Sequence, residues 1–217
     1  MLLIGQYDSP FVRRVAVALK LYGVAYEHAP WSTFGDADKI AAFNPLRRVP
    51  TVVFDDGFSL MDSGSILEII DAGQGENAFL DRKGSERREL LRLCALAGGI
   101  ADKGVSLLYE KAFREGLPMW VQRCRTQVGE GLEALEAERA ARTGTWLFGE
   151  TISHADILTA TTYRFLTEAL NGAFDMAGYD ALTAHSERCE AMPEFSAVYQ
   201  PYMLTRPPEN APETDNG

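Results

Sequence analysis

Cysteine is scarce in this chain of 217 residues. Cys94, Cys124 and Cys189 are odd in number, show no C-x-x-C pair or metal-ligand spacing, and leave residues 1–93 without a thiol. A disulfide framework and a metal site built on cysteine are thereby excluded, and reduced thiols filling core space are expected. Long hydrophobic runs are missing too. No window approaches the roughly 18 apolar residues of a membrane helix. Met1-Leu2-Leu3-Ile4 is too short, and has no charge in front of it, to read as a secretory signal, so the cytoplasm is the default expectation. Positive charge is in deficit. A net charge of −10 repels phosphate backbones, so nucleic acid is not an expected partner. The clusters Arg13-Arg14, Arg47-Arg48 and Arg87-Arg88 then read as solvated faces, with Arg48 set apart by its neighbours. There is no internal repeat.

What is present begins with a hydrophobic content of 46%, enough for a sizeable core. Leu2-Leu3-Ile4-Gly5 is a short strand-like run ending in Gln6-Tyr7-Asp8-Ser9-Pro10. Phe11, Val15, Ala18, Leu19 and Tyr22 then recur at helical spacing, predicting a helix with one buried stripe and Arg13, Arg14 and Lys20 off it. Ser9 is a candidate N-cap, Pro10 suits the first helical position and Gly23 ends the helix. Residues 24–28 can form a second strand parallel to the first, and a short helix over 36–43 is stopped by Asn44-Pro45. Thr51-Val52-Val53-Phe54 and Phe58-Ser59-Leu60, joined by Asp55-Asp56-Gly57, predict a hairpin. Ile66, Leu67, Ile69 and Ile70 predict a further helix. The order βαβα then ββα is that of a thioredoxin-like α/β domain, assigned to residues 1–75. A linker covers 76–84.

Beyond the linker the strand signals cease. Residues 85–204 are expected to form an all-α helical domain, with helices over 85–113 and 118–141. Ser153 and Asp156 have the spacing of a capping box at the start of a central helix, and His154 beside them reads as a loop histidine. The proline-rich, acidic tail 205–217 has no face to bury and is expected to be mobile.

The run Asn44–Ile70, NPLRRVPTVVFDDGFSLMDSGSILEII, carries the chemistry. Pro50 at the mouth of a strand leaves the Val49 N–H and C=O free of ladder pairing, open to an extended peptide. Asp62 and Ser63 stand at a helix start, where unpaired N–H groups attract a carboxylate and Asp62 could hold an ammonium. A carboxylate beside an ammonium is the α-amino-acid head of a peptide ligand. The plainer alternative is that Asp62 or Ser63 only caps the helix.

The pattern N-P-x-x-x-V-P, followed by a hairpin and an acidic residue with serine opening a helix, resembles the glutathione transferase family. The resemblance implies a cis Pro50, backbone pairing of Val49 with the cysteinyl part of glutathione, and Asp62 with Ser63 on its γ-glutamyl end. Arg48 falls where plant-type members keep a basic residue for the glycine carboxylate. Many members carry Glu at the position of Asp62. The stretch Ser9–Leu19, SPFVRRVAVAL, is similar to the serine-type plant members, which makes Ser9 the candidate group for stabilising the glutathione thiolate. Tyr7 is the alternative, since other members place a tyrosine at the end of the first strand. The resemblance implies a cytoplasmic detoxifying transferase, homodimeric, with glutathione as cosubstrate and no metal. It attacks small hydrophobic electrophiles, which are expected beside Phe11, Tyr109, Phe113 and Tyr163. Two alternatives stay open: a catalytically silent ligand- or protein-binding relative, and a glutathione-dependent peroxidase or isomerase. The serine- and cysteine-rich motif of the maleylacetoacetate isomerases is missing.

Overall fold

The strands are short, and the helices between them decide where they lie. The structure, a computed structural model, describes residues 1–79 and 83–205. In chain order it contains β1 (Leu2–Ile4), α1 (Pro10–Leu21), β2 (Glu27–Ala29), α2 (Ala37–Ala41), β3 (Thr51–Val53), β4 (Ser59–Met61) and α3 (Ser63–Ala72). After a 3-10 turn at Gly75–Asn77 come α4 (Gly84–Phe113), α5 (Pro118–Ala140), α6 (His154–Ala169), α7 (Asp180–Glu190) and α8 (Pro193–Ser196). The sheet order is β2-β1-β3-β4, with β2 parallel to β1 and the β3–β4 hairpin antiparallel to it. This is the expected thioredoxin-like arrangement followed by a helical half. The expected linker is in part this 3-10 turn, and residues 80–82 and the tail from 206 lie outside the described residues.

Helix α1 starts and stops as its sequence predicts. Ser9 Oγ accepts the Val12 N–H at 3.4 Å, Pro10 occupies the first turn, and Gly23 turns the chain with φ 66°. Its burial departs from the prediction. Val12, Val15, Ala16, Val17, Ala18 and Leu19 are all fully buried, and Arg13 and Arg14 are buried as well. The reason is that α1 is covered on two sides. One side packs on Leu3, Val52 and Ile66, the other on Ile157, Ala160, Phe195 and Val198, so a single core runs across the expected domain boundary.

Arg13 is therefore not a solvated residue. Its guanidinium makes a bidentate pair with Glu190, both bonds 2.6 Å, and donates to the carbonyls of Val198 and Phe195. His154 is likewise not a loop histidine. It opens α6 at 1% exposure, with Nε2 2.9 Å from both oxygens of Asp71. Tyr22 donates to the same carboxylate and receives the Phe79 N–H, so α1, α3, the interdomain segment and α6 meet at one buried group. The neighbouring Asp156 accepts the Ser153 N–H, the Ser153 hydroxyl and the Leu147 N–H, fixing the start of α6.

These contacts give the protein a pH dependence. Burial depresses the pKa of His154, against the pull of Asp71, and depresses that of His185, against the pull of Asp156; Arg14 adds to the first effect, Arg139 and Arg188 to the second. Imidazoles of the unfolded chain take up protons near pH 6.5, so below about that value the unfolded state binds more of them and stability is lost. The melting temperature is expected to fall as pH is lowered from about 7 to about 5. A flat melting temperature across that window in calorimetric scans contradicts the assignment.

Candidate functional site

The chain leaving β1 turns at Gly5, where φ is 130° and a Cβ would lie 2.5 Å from Val12 Cγ2 and 2.8 Å from Val49 Cβ. Only glycine lets these segments approach so closely. The consequence is that Val49 sits beside the start of α1. Asn44, fully buried, shapes the loop on the other side: its Nδ2 donates to the Arg48 carbonyl at 2.9 Å and to Thr51 Oγ1 at 3.1 Å, and its Oδ1 accepts the Leu46 N–H. Val49–Pro50 is cis, and among the described residues the Val49 N–H and C=O have no hydrogen-bond partner. In the sequence Asn44 reads as a helix stop and as the first residue of the N-P-x-x-x-V-P pattern, with no role for its side chain. Its amide works through spatial neighbours that local periodicity does not reveal.

Two cavities meet at Val49. The larger, about 430 Å³, is lined by Arg48, Val49, Pro50, Asp62, Ser63 and Gly64, with Arg14 on its wall. The smaller, about 290 Å³, contains Ser9 and an aromatic wall of Phe11, Trp31, Phe34, Tyr109, Phe165 and Tyr202. Phe11, Arg48, Val49 and Asp102 border both. The structure thus brings Arg48, Val49, Pro50, Asp62 and Ser63 together and sets Ser9 next door.

Asp62, at φ 75°, caps α3: Oδ1 accepts the Ser65 N–H at 2.9 Å and the Ser65 hydroxyl at 3.1 Å. Capping engages one carboxylate oxygen, and Asp62 also lines the larger cavity. Ser9 divides its capacities in a similar way. A lone pair receives the Val12 N–H, while the hydroxyl proton remains available to an acceptor in the cavity. Capping and ligand contact therefore do not compete at either residue.

Tyr7 points elsewhere. Its ring stacks on His28 at 3.9 Å and its hydroxyl bonds the Tyr26 hydroxyl at 2.9 Å, lining neither of these cavities. Burial raises its pKa. Of the expected electrophile residues, Phe11 and Tyr109 line the smaller cavity. Phe113 lies behind the wall, its ring 4.6 Å from Phe34. Tyr163 is a correction: it is buried in the helical core with its hydroxyl 2.6 Å from Thr183 Oγ1, because it lies on the face of α6 turned toward α7. Trp31, Phe34, Phe165 and Tyr202 were not predicted. Phe165 has core spacing on α6, and Tyr202 belongs to a segment without period, tied to the start of α1 by the Met203 N–H donating to Asp8.

The cysteines stand apart from this chemistry. Burial pushes Cys94 up to about 11 and raises Cys124 and Cys189, and none lines either cavity. Among the described residues no cluster of three or more His, Cys, Asp or Glu could hold a metal, and no helix is long and apolar enough to cross a membrane.

A thioredoxin-like sheet with an open backbone pair before a cis proline, joined to an all-helical half, defines the class. Models of the glutathione S-transferase N-terminal and C-terminal domains match residues 3–78 and 118–188, and the chain belongs to that family. Glutathione S-transferase U8 of Arabidopsis thaliana is 30% identical over 159 residues, 71% of this chain and 67% of that protein. The GST-like protein YibF of Escherichia coli K12 is 35% identical over 112 residues, a match spanning 52% of this chain and 55% of that protein. A glutathione transferase family member from Pseudomonas fluorescens Pf-5, solved with bound glutathione, superposes with a TM-score of 0.77 at 27% identity, covering 95% of this chain and 98% of that one.

Proposed function

We propose that the chain is a glutathione transferase that binds glutathione in the larger cavity and attacks a small hydrophobic electrophile held in the smaller one. The observation that carries this reading is the Val49 N–H and C=O, unpaired among the described residues, between the starts of α1 and α3. Paired there in strand fashion, the cysteinyl residue of the tripeptide directs its sulfur toward Ser9. Its γ-glutamyl head then lies at Asp62 and Ser63, and its glycine carboxylate at Arg48.

A free thiol near pKa 8.5 is only about 3% ionised at pH 7. The Ser9 hydroxyl proton and the positive end of α1 favour the thiolate. The thiolate forms a C–S bond to the electrophilic carbon, and the displaced electron pair leaves with a leaving group or is protonated on the substrate. The chain is proposed to act as a cytoplasmic detoxifying enzyme and as a homodimer; the exposed apolar Leu46, Ile69 and Leu91, on elements around the tripeptide cavity, supply contact surface for a second copy.

Calorimetric titration with glutathione is expected to give saturable heat, and incubation with an aromatic halide electrophile to give a thioether conjugate by mass spectrometry. Binding without any conjugate, with turnover of a peroxide or of a cis double bond instead, would reassign the reaction. Absence of heat would leave the silent binding module as the reading.

A further inference from the structure

Asp8 stands on the smaller cavity without a counter-ion. It precedes Ser9 in the chain, lines the cavity and is half-buried. Its Oδ2 accepts the Met203 N–H at 3.2 Å, the Ser9 N–H also favours its charge, and burial raises its pKa against both. Among the described residues no arginine, lysine or histidine pairs with it. The cations on the same cavity are engaged elsewhere: Arg47 Nη1 donates to Asp38 at 2.7 Å, and Arg48 also borders the tripeptide cavity. Asp102, the other carboxylate on the lining, has Lys103 Nζ 3.3 Å away. Asp8 is thus the negative charge that the described residues leave uncompensated there.

The walls around it suit a cation. Tyr202 and Phe165 meet edge to face with ring centroids 6.3 Å apart, and Tyr109 lines the same cavity. The Tyr202 hydroxyl oxygen is buried without a hydrogen-bond partner among the described residues, and Asp8 and Tyr109 both act on it through space. Carboxylate, unpartnered oxygen and aromatic rings therefore gather on one part of the lining. Each attracts a positive group: the carboxylate by its charge, the oxygen by its lone pairs, the rings by the negative potential of their faces. An alkylated ammonium fits such walls, because its charge is spread over an apolar shell that aromatic faces can cover.

We propose that Asp8, Tyr109, Phe165 and Tyr202 form a cation subsite, and that the electrophiles of this protein are small aromatic molecules carrying a protonated amine or a quaternary ammonium group. This rests on the reading of the smaller cavity as the electrophile site. Because Asp8 and Ser9 are neighbours in the chain, a cation held at the first leaves a reactive carbon within reach of a thiolate at the second. With an aryl halide the thiolate forms the C–S bond, the carbon–halogen bond breaks, and halide leaves with the electron pair. An anionic substrate meets a charge of its own sign at Asp8 and is disfavoured.

The test compares kcat/KM for aryl chlorides that share one dinitrated ring: (4-chloro-3,5-dinitrobenzyl)trimethylammonium, its neutral isostere with tert-butyl in place of trimethylammonium, and 4-chloro-3,5-dinitrobenzoate. Each value is divided by the uncatalysed rate with glutathione, which removes differences in ring reactivity. Wild type is expected to favour the cation over the isostere by roughly five- to thirtyfold, the range for a cation on aromatic faces as its water is removed, and to turn over the benzoate more slowly than the isostere. Asp8→Asn keeps an acceptor for the Met203 N–H and removes the charge, so it should bring the cation-to-isostere ratio close to one through the KM of the cationic substrate. A wild-type ratio near one, a benzoate faster than the isostere, or an unchanged ratio in Asp8→Asn overturns the proposal. Equal slowing of both substrates by Asp8→Asn, with the ratio kept, marks a structural role and overturns it too. If Asp8→Asn does not fold, Tyr202→Phe decides: without the hydroxyl oxygen the ratio should shrink in part, and an unchanged ratio overturns the proposal. If wild type turns over none of the chlorides, calorimetry with benzyltrimethylammonium, which requires no reaction, separates the two readings. Saturable heat that Asp8→Asn or Tyr202→Phe weakens supports the cation subsite although the transferase reading has failed, and absence of heat overturns the subsite as well.

Discussion

Replacing Ser9 by alanine is expected to raise the pKa of bound glutathione by about two units, whereas Tyr7→Phe should leave it unchanged. A shift of about two units corresponds to roughly 2.7 kcal/mol. In terms of populations, a thiol ionised to about three-quarters at pH 7 would fall to about 3%, so turnover at neutral pH should drop roughly twentyfold. Above about pH 9 the difference should close, because the thiol then ionises without help. Ultraviolet titration of the bound thiolate, with the pH profile of kcat, reads both effects.

The two variants differ for a geometric reason. Ser9 lines the cavity with its proton unspent, while the Tyr7 hydroxyl is held by Tyr26 on the far side of the loop. The variant also removes a helix cap, at about 1 kcal/mol of stability, so its melting temperature must be followed alongside. Ser9→Thr keeps a hydroxyl and should recover part of the lost ionisation. The assignment fails if Tyr7→Phe raises the thiol pKa and Ser9→Ala does not.

Glu190→Ala should destabilise the fold by about 3 kcal/mol, the lower end for breaking a buried ion pair. Glu190 keeps 18% of its side chain exposed, which argues for that lower end, whereas Arg13 keeps 4%. Loss of the carboxylate leaves Arg13 buried with only the carbonyls of Phe195 and Val198 as acceptors. For a chain of this size the melting temperature should fall by about 6–12 °C. The comparison is Glu168→Ala, which breaks the more exposed pair with Arg164 and should cost under about 1 kcal/mol. Arg13→Met combined with Glu190→Leu should regain most of the loss, since a packed apolar pair can replace a buried ionic one. Equal melting temperatures for Glu190→Ala and Glu168→Ala would remove Arg13 as the tie between α1 and the C-terminal end.

Arg13 and Arg14 also show where reading the sequence stops. Local rules fix what depends on near neighbours: the Ser9 cap, Pro10 in the first turn, Gly23 at φ 66°, and the hairpin turning at Gly57. The motif from Asn44 to Ile70 was legible for the same reason, since its backbone site, turn and helix start are contiguous. Arg13 and Arg14 were placed in solvent because a single amphipathic stripe was assumed for α1. That assumption fails when a helix is covered on both sides, which is a property of the packed molecule.

The amino-acid order alone determined the βαβα-ββα succession, the helical half, the open backbone at Val49-Pro50 and the helix start at Asp62-Ser63, because each follows from spacing and from steric rules acting over a few positions; Arg48 and Ser9 were singled out by resemblance to a family. Tertiary structure alone decided that Tyr7 turns to Tyr26, that Tyr163 is core while Phe165 and Tyr202 wall a cavity, and that His154 closes on Asp71 across 83 positions. Those outcomes depend on which face of a helix meets which neighbour, and periodicity marks an apolar face without saying what will cover it.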